Sequence, residues 1–134
     1  MPEWKSGNHC KYLLQYHLIF VCKYRKKLLG NVDIANDIKR LSKEICDKHN
    51  VIIKYMEVDK DHIHYMIETV PNSNLSNMVR TIKSYTAYHI WHRHEDVLKK
   101  HFWKERTFWT DGYFICSVGN VSEETLKKYI ENQG

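Results

Sequence analysis

The chain has 134 residues, 43% of them hydrophobic, a length and composition that suit one domain over 1–134 with a real core. A net charge of +5 favours polyanionic partners, nucleic acid first among them, and a 13% share of aromatics suits both core packing and stacking on bases. The four cysteines (Cys10, Cys22, Cys46, Cys116) show no C-x-x-C spacing, no apolar run is long enough to span a bilayer, and Met1 to Lys5 lacks the apolar core of a signal peptide; this excludes a cysteine-built zinc site and a membrane partner, and leaves a cytoplasmic protein with reduced thiols as the expectation.

In chain order, Leu13 to Tyr24 is apolar, β-branched or aromatic and reads as a long strand with a polar end, after which Gly30 and Asn31 punctuate the chain. Val32, Ile34, Ile38, Leu41 and Ile45 fall at helical spacing, predicting an amphipathic helix over Asn31 to Asn50. Val51 to Val58 is a second strand. Asp59-Lys60-Asp61 makes a polar turn, and Asp61 to Val70 is its hairpin partner. Pro71 stops that strand. Leu75, Met78, Val79, Ile82 and Tyr85 then predict a second long helix to about His94. A further short strand near Trp103 to Trp109 fits the pattern. Asp111-Gly112 is a turn, and Tyr113 to Val118 a last strand. Ser122 caps a terminal helix, with Glu123 and Glu124 in its first turn. The order β-α-β-β-α-β-α predicts an α+β fold, an antiparallel sheet with helices packed on it, of the ferredoxin-like or RRM-like sandwich kind.

His62-Ile63-His64 carries the most chemical information. Side chains two apart on a strand share a face, so both imidazoles project together while Ile63, Tyr65 and Ile67 pack on the other side. In the terminal helix, Leu126, Tyr129, Ile130 and Gln133 fall at i, i+3, i+4 and i+7 and share a face. Leu126 and Ile130 can anchor the helix on the sheet. A phenol and a carboxamide can then approach the two imidazoles. Two imidazole nitrogens and an amide oxygen can hold a divalent ion with open positions, and a tyrosine oxygen is a plausible nucleophile on phosphorus. Asp61 reads first as a turn residue and second as a carboxylate supporting the histidines.

With these residues in view, Asp61-His62-Ile63-His64 followed by Tyr129-Ile130-Glu131-Asn132-Gln133 resembles the single-tyrosine HUH transposases of the insertion-sequence-200-like group. Tyr16 to Arg25 resembles that family's first strand. Phe108 to Phe114 and Ser117-Val118-Gly119 resemble its late strand and the joint before the tyrosine helix. The likeness runs from about Lys11 to Gln133. It implies that Tyr129 attacks single-stranded DNA to form a 5′-phosphotyrosine and free a 3′-OH. It implies too that His62, His64 and Gln133 hold Mg2+ or Mn2+. Members of the family are homodimers that bind hairpins at element ends, and their tyrosine helix can serve the histidines of the partner subunit, with Gly119 as the expected pivot here.

Lys23, Tyr24, Arg25, Lys26 and Lys27 combine charge with an aromatic and, given the resemblance, are candidate DNA contacts; Arg80 and Lys83 on the polar side of the second helix join them. Lys99, Lys100, Lys104 and Arg106, near Trp103 and Trp109, suggest a DNA-facing loop. His89, His92 and His94 read as an exposed helix end in preference to a second metal site. Two other functions fit parts of the pattern. One is a rolling-circle replication initiator or relaxase-like nickase with the same chemistry. The other is a non-catalytic nucleic-acid-binding module that uses sheet aromatics.

Overall fold

Four antiparallel strands make the main sheet. A computed structural model describes residues 4–7, 9–119 and 122–132 of the chain. A small hairpin comes first, β1 (Lys5–Gly7) with β2 (Cys10–Tyr12), which the sequence pattern does not announce. The main sheet is built from β3 (Leu14–Val21), β4 (Ile52–Val58), β5 (His62–Thr69) and β6 (Phe114–Ser117), in the order β4-β5-β3-β6. Its first and third strands are central, which is the ferredoxin-like arrangement anticipated above.

Three α-helices accompany the sheet among the described residues: α1 (Val32–Lys48), α2 (Leu75–His101) and α3 (Glu123–Glu131). Asn31 starts α1, its side-chain oxygen accepting from the Asp33 and Ile34 N–H groups. Ser122 caps α3 by accepting from Thr125 N–H. α1 and α2 cover one face of the sheet. There Leu18, Phe20, Ile63, Tyr65 and Ile67 join Ile34, Ile38, Leu41, Val79, Ile82 and Ile90 in one buried cluster. The fully buried Tyr65 hydroxyl is paired with Ser42 Oγ at 2.7 Å, which satisfies both polar groups inside that layer. α3 lies over the opposite face, with Leu126 and Ile130 in a cleft beside Ile19, His62 and His64.

Three boundaries differ from the predicted ones. β3 ends at Val21, opposite His62, where its ladder with β5 ends. Tyr24 and Arg25 then take φ of 59° and 52°, which no strand accommodates. The expected strand over Trp103 to Trp109 reduces to one isolated bridge, Cys22 with Trp109. α2 continues past His94 to His101, because Leu98 and then Phe102 extend the core-facing stripe and no Gly or Pro intervenes. The backbone departs locally from helical geometry at His94 itself (φ −130°). Lys99, Lys100 and His101 in the last turn suit the negative end of the helix dipole. No described helix is long and apolar enough to cross a membrane.

Candidate active site

The alternation of β5 places His62 and His64 on the face away from Ile63, Tyr65 and Ile67, all three of which are fully buried. Asp61, at the start of the strand, does more than turn the chain. One carboxylate oxygen lies 2.9 Å from His62 Nδ1, and the other accepts from Arg25 Nε at 3.2 Å. Its backbone carbonyl accepts from Cys22 N–H at 2.8 Å. Burial alone would raise the Asp61 carboxyl; the hydrogen bonds from His62 and Arg25 outweigh it and hold the group below its ordinary value. With Nδ1 oriented by a carboxylate, Nε2 is the His62 nitrogen left for a further partner.

His64 has a neighbour that sequence reasoning missed. His17 Nδ1 stands 2.9 Å from His64 Nε2, their rings tilted by 39°. Glu57 Oε2 lies 4.0 Å from His64 Nδ1, and Tyr55 meets the same ring edge-on. His17 shares strand parity with Ile19, the residue paired with His64. That parity is visible in the sequence; the β3–β5 register that makes it meaningful is not. Burial, followed by the facing His17, holds the His64 imidazole below its ordinary value and favours the neutral form.

A cleft of about 580 Å³ between α3 and this face includes His17, Arg25, His62, His64, Leu126 and Ile130 in its walls. Tyr129 stands apart from that lining. Phe114, Ile19, His64 and Glu57 form one row across β6, β3, β5 and β4. The Tyr129 ring packs on Phe114 with centroids 5.2 Å apart. The phenol therefore belongs to the same sheet face as the histidines but sits over β6, two strands or roughly 10 Å from β5. Its hydroxyl is buried with no hydrogen-bond partner among the described residues, and burial raises its pKa. Arg25 ties the end of α3 to Asp61, donating through Nη1 to the Glu131 carbonyl at 3.2 Å. Gln133 lies outside the described residues. Among those described, no three His, Cys, Asp or Glu side chains are grouped as a metal ion requires. Two imidazoles on one strand face, one backed by a carboxylate, nonetheless fit a divalent ion as a partial ligand set.

The basic candidates divide by environment. Lys23 pairs with Asp111 at 3.5 Å, Lys27 is exposed, and Arg80 is exposed beside Asn77. Lys83 donates to the carbonyls of Thr110, Asp111 and Gly112 at 2.6, 3.2 and 3.2 Å, so each of its protons already has an acceptor. It pins the segment that leads into β6. Trp109 is buried, donating to Thr86 Oγ1, and Arg106 stacks on Trp91, whereas Trp103 faces solvent. His94 bonds Asp37 at 2.7 Å, and His89 and His92 stack on Tyr85 and Tyr88.

A family model described as IS200-like transposase matches residues 10–133. The chain belongs to that family. Among IS200-like relatives, it is 29% identical over 131 residues to the ISDra2 transposase TnpA of Deinococcus radiodurans, covering 98% of this chain and 91% of that one. It is 26% identical over 133 residues to the transposase for insertion sequence element IS200 of Salmonella typhimurium, covering 99% and 85%. In three dimensions it resembles a crystal structure from Deinococcus radiodurans R1 described as a candidate transposase, with a TM-score of 0.88, 26% identity, and 96% and 97% of the two chains covered. A REP-associated tyrosine transposase bound to a REP hairpin shares the fold at a TM-score of 0.55 and 11% identity, over 94% of this chain and 69% of that one.

Proposed function

We propose that this IS200-family transposase cuts and rejoins single-stranded DNA through a 5′-phosphotyrosine on Tyr129, excising and inserting a mobile element whose ends form hairpins. The observation that carries the reading is the Asp61–His62 bond beside His64, which leaves a carboxylate-oriented imidazole facing a cleft under the helix that bears Tyr129. His62 and His64 hold Mg2+ or Mn2+, with Gln133 as the third ligand. When bound, the ion neutralises phosphate charge and aligns the phosphorus.

In the reaction, Tyr129 Oη forms a bond to phosphorus as the P–O3′ bond breaks. The phenol gives up its proton and the departing 3′ oxygen takes one up. The phosphodiester is conserved in the tyrosine linkage, so a 3′-OH can reverse the attack and join strands without ATP. Lys23, Arg25, Lys26, Lys27 and Arg80 contact phosphates and Tyr24 a base. Lys83 joins them where a phosphate replaces one of its carbonyl partners. Tyr129 comes to the histidines by displacement of α3 about Gly119, either within its own subunit or toward a second copy in a homodimer. In support, Gly119 has φ 93° with open space around it, and no described residue of α3 is buried.

The test is incubation with end-labelled single-stranded DNA from the element's own ends plus Mg2+ or Mn2+. The expected result is a covalent protein–DNA adduct that falls to background in Tyr129→Phe and in His62→Ala, while hairpin binding by His62→Ala stays near that of the parent protein. Binding without adduct on a verified end sequence would overturn the proposal in favour of a non-catalytic module. A nicked product that is never transferred to a second strand would favour a replication-initiator or relaxase-like role.

A further inference from the structure

Tyr24 and Arg25 are consecutive non-glycine residues in the left-handed region, a costly conformation for bulky side chains. The turn is pinned on both sides, by Lys23 N–H to the Phe108 carbonyl and Arg25 N–H to the Cys22 carbonyl, both 2.8 Å. Its effect is to send two neighbours to two places. Arg25 folds back onto Asp61, and through it to His62. Tyr24 goes to a separate cleft of about 280 Å³ formed with Lys26, Phe102, Trp103, Lys104 and Glu105.

That cleft is built unlike a patch of core. Trp103 is 74% exposed and Tyr24 58% exposed, so two large rings stand in water. Phe102 forms its buried floor, 6.5 Å from the Tyr24 ring. The Lys26 ammonium sits 5.9 Å from the Phe102 centroid, and the Tyr24 hydroxyl is steadied by Glu105 at 3.1 Å. Exposed rings contribute little to stability, and a purely apolar partner would have to desolvate Lys26 and Lys104. Rings with ammonium groups at the rim match a ligand that is flat and apolar at its centre and anionic along its edge. A nucleotide of a single strand has that shape and charge.

We propose that this cleft binds one unpaired base of single-stranded DNA, stacked against Tyr24 and Trp103, a few nucleotides from the phosphodiester held at His62. The cleft is then a register stop: the strand is fixed at a base and at a phosphate by adjacent residues of one turn. The inference rests on the cleavage reading for the identity of the strand, but its test needs no cleavage.

Binding is measured in EDTA by fluorescence anisotropy, with a short fluorescein-labelled oligo(dT) and an abasic strand of the same length and charge. The parent protein should prefer oligo(dT) by roughly five-fold or more. Trp103→Ala and Tyr24→Ala should each remove most of that preference and leave affinity for the abasic strand unchanged. Trp103→Phe should keep the preference, and Lys26→Ala should weaken both strands alike. Thermal melting of each variant controls for folding. The proposal is overturned if the parent protein does not distinguish the two strands, or if Trp103→Ala still distinguishes them. Failure of the tyrosine chemistry would appear in the adduct assay alone, with the base preference intact.

Discussion

At the scale of single residues, the arrangement around His62 depends on Asp61. A carboxylate on Nδ1 fixes the ring orientation and makes the other nitrogen a better donor. Asp61→Asn keeps a side chain of similar size but gives up the charge on which that orientation depends. We expect Mn2+ affinity, followed by titration calorimetry, to fall by roughly ten- to hundred-fold while the far-ultraviolet circular dichroism is unchanged. Undiminished affinity would remove Asp61 from the site. His62 and His64 are legible in the sequence because strand parity alone puts them on one face. Asp61 is half legible, since a turn residue and a supporting carboxylate look alike until Arg25 is seen on its second oxygen. His17 is illegible, because its role depends on which residue of β5 it meets.

At the scale of elements, the contrast lies between the two core helices and α3. α1 buries Ile34, Ile38, Leu41, Ser42, Ile45 and Cys46, whereas no described residue of α3 is buried. Local opening follows the apolar area lost, so α3 should open far more readily than α1. Native-state hydrogen exchange is expected to show α3 amides exchanging at least ten-fold faster than the central amides of α1; equal protection would mean that α3 is fixed where it lies. The same contrast explains what the sequence could predict of these elements. Helical periodicity gave α1 its boundaries to within two residues, while the capping role of Asn31 emerges only from the structure. α2 outran its expected end because Leu98 and Phe102 sit beyond a polar stretch that masks the period. The end of β3 was hidden because Lys23 to Lys27 carries no breaker; the stop comes from Tyr24 and Arg25 turning left-handed under tertiary contacts. Tyr129 is the instructive case: helical spacing gave its angular position but not how far across the sheet the helix lies, and the phenol came to rest on Phe114.

At the scale of the whole molecule, α1 and α2 are joined outside the core by Asp37, which accepts from Arg93 Nε at 2.9 Å, meets His94 Nε2 at 2.7 Å and pairs with Arg40 at 3.5 Å. Burial alone would raise this carboxyl, but the bonds from His94 and Arg93 prevail and lower it. A carboxyl whose pKa is depressed by folding stabilises the native state above its unfolded-state value and loses that contribution as pH falls through the folded-state value. Asp37→Asn should therefore be less stable than the parent at neutral pH by about 1 kcal/mol in urea unfolding. The two should converge as pH drops below the ordinary carboxylate range. A constant gap down to the most acid pH would show that packing, not charge, accounts for the loss.

The strict alternation of β5 also couples fitness for chemistry to integrity of the body. A one-residue slip of that strand's register would invert its parity, carrying both imidazoles into the greasy interior and turning Tyr65 out to solvent, away from Ser42. A frame error here cannot yield an inert but sturdy protein, nor an active but fragile one. Libraries built on this scaffold should vary the helix-bearing flank and leave the length of that strand untouched.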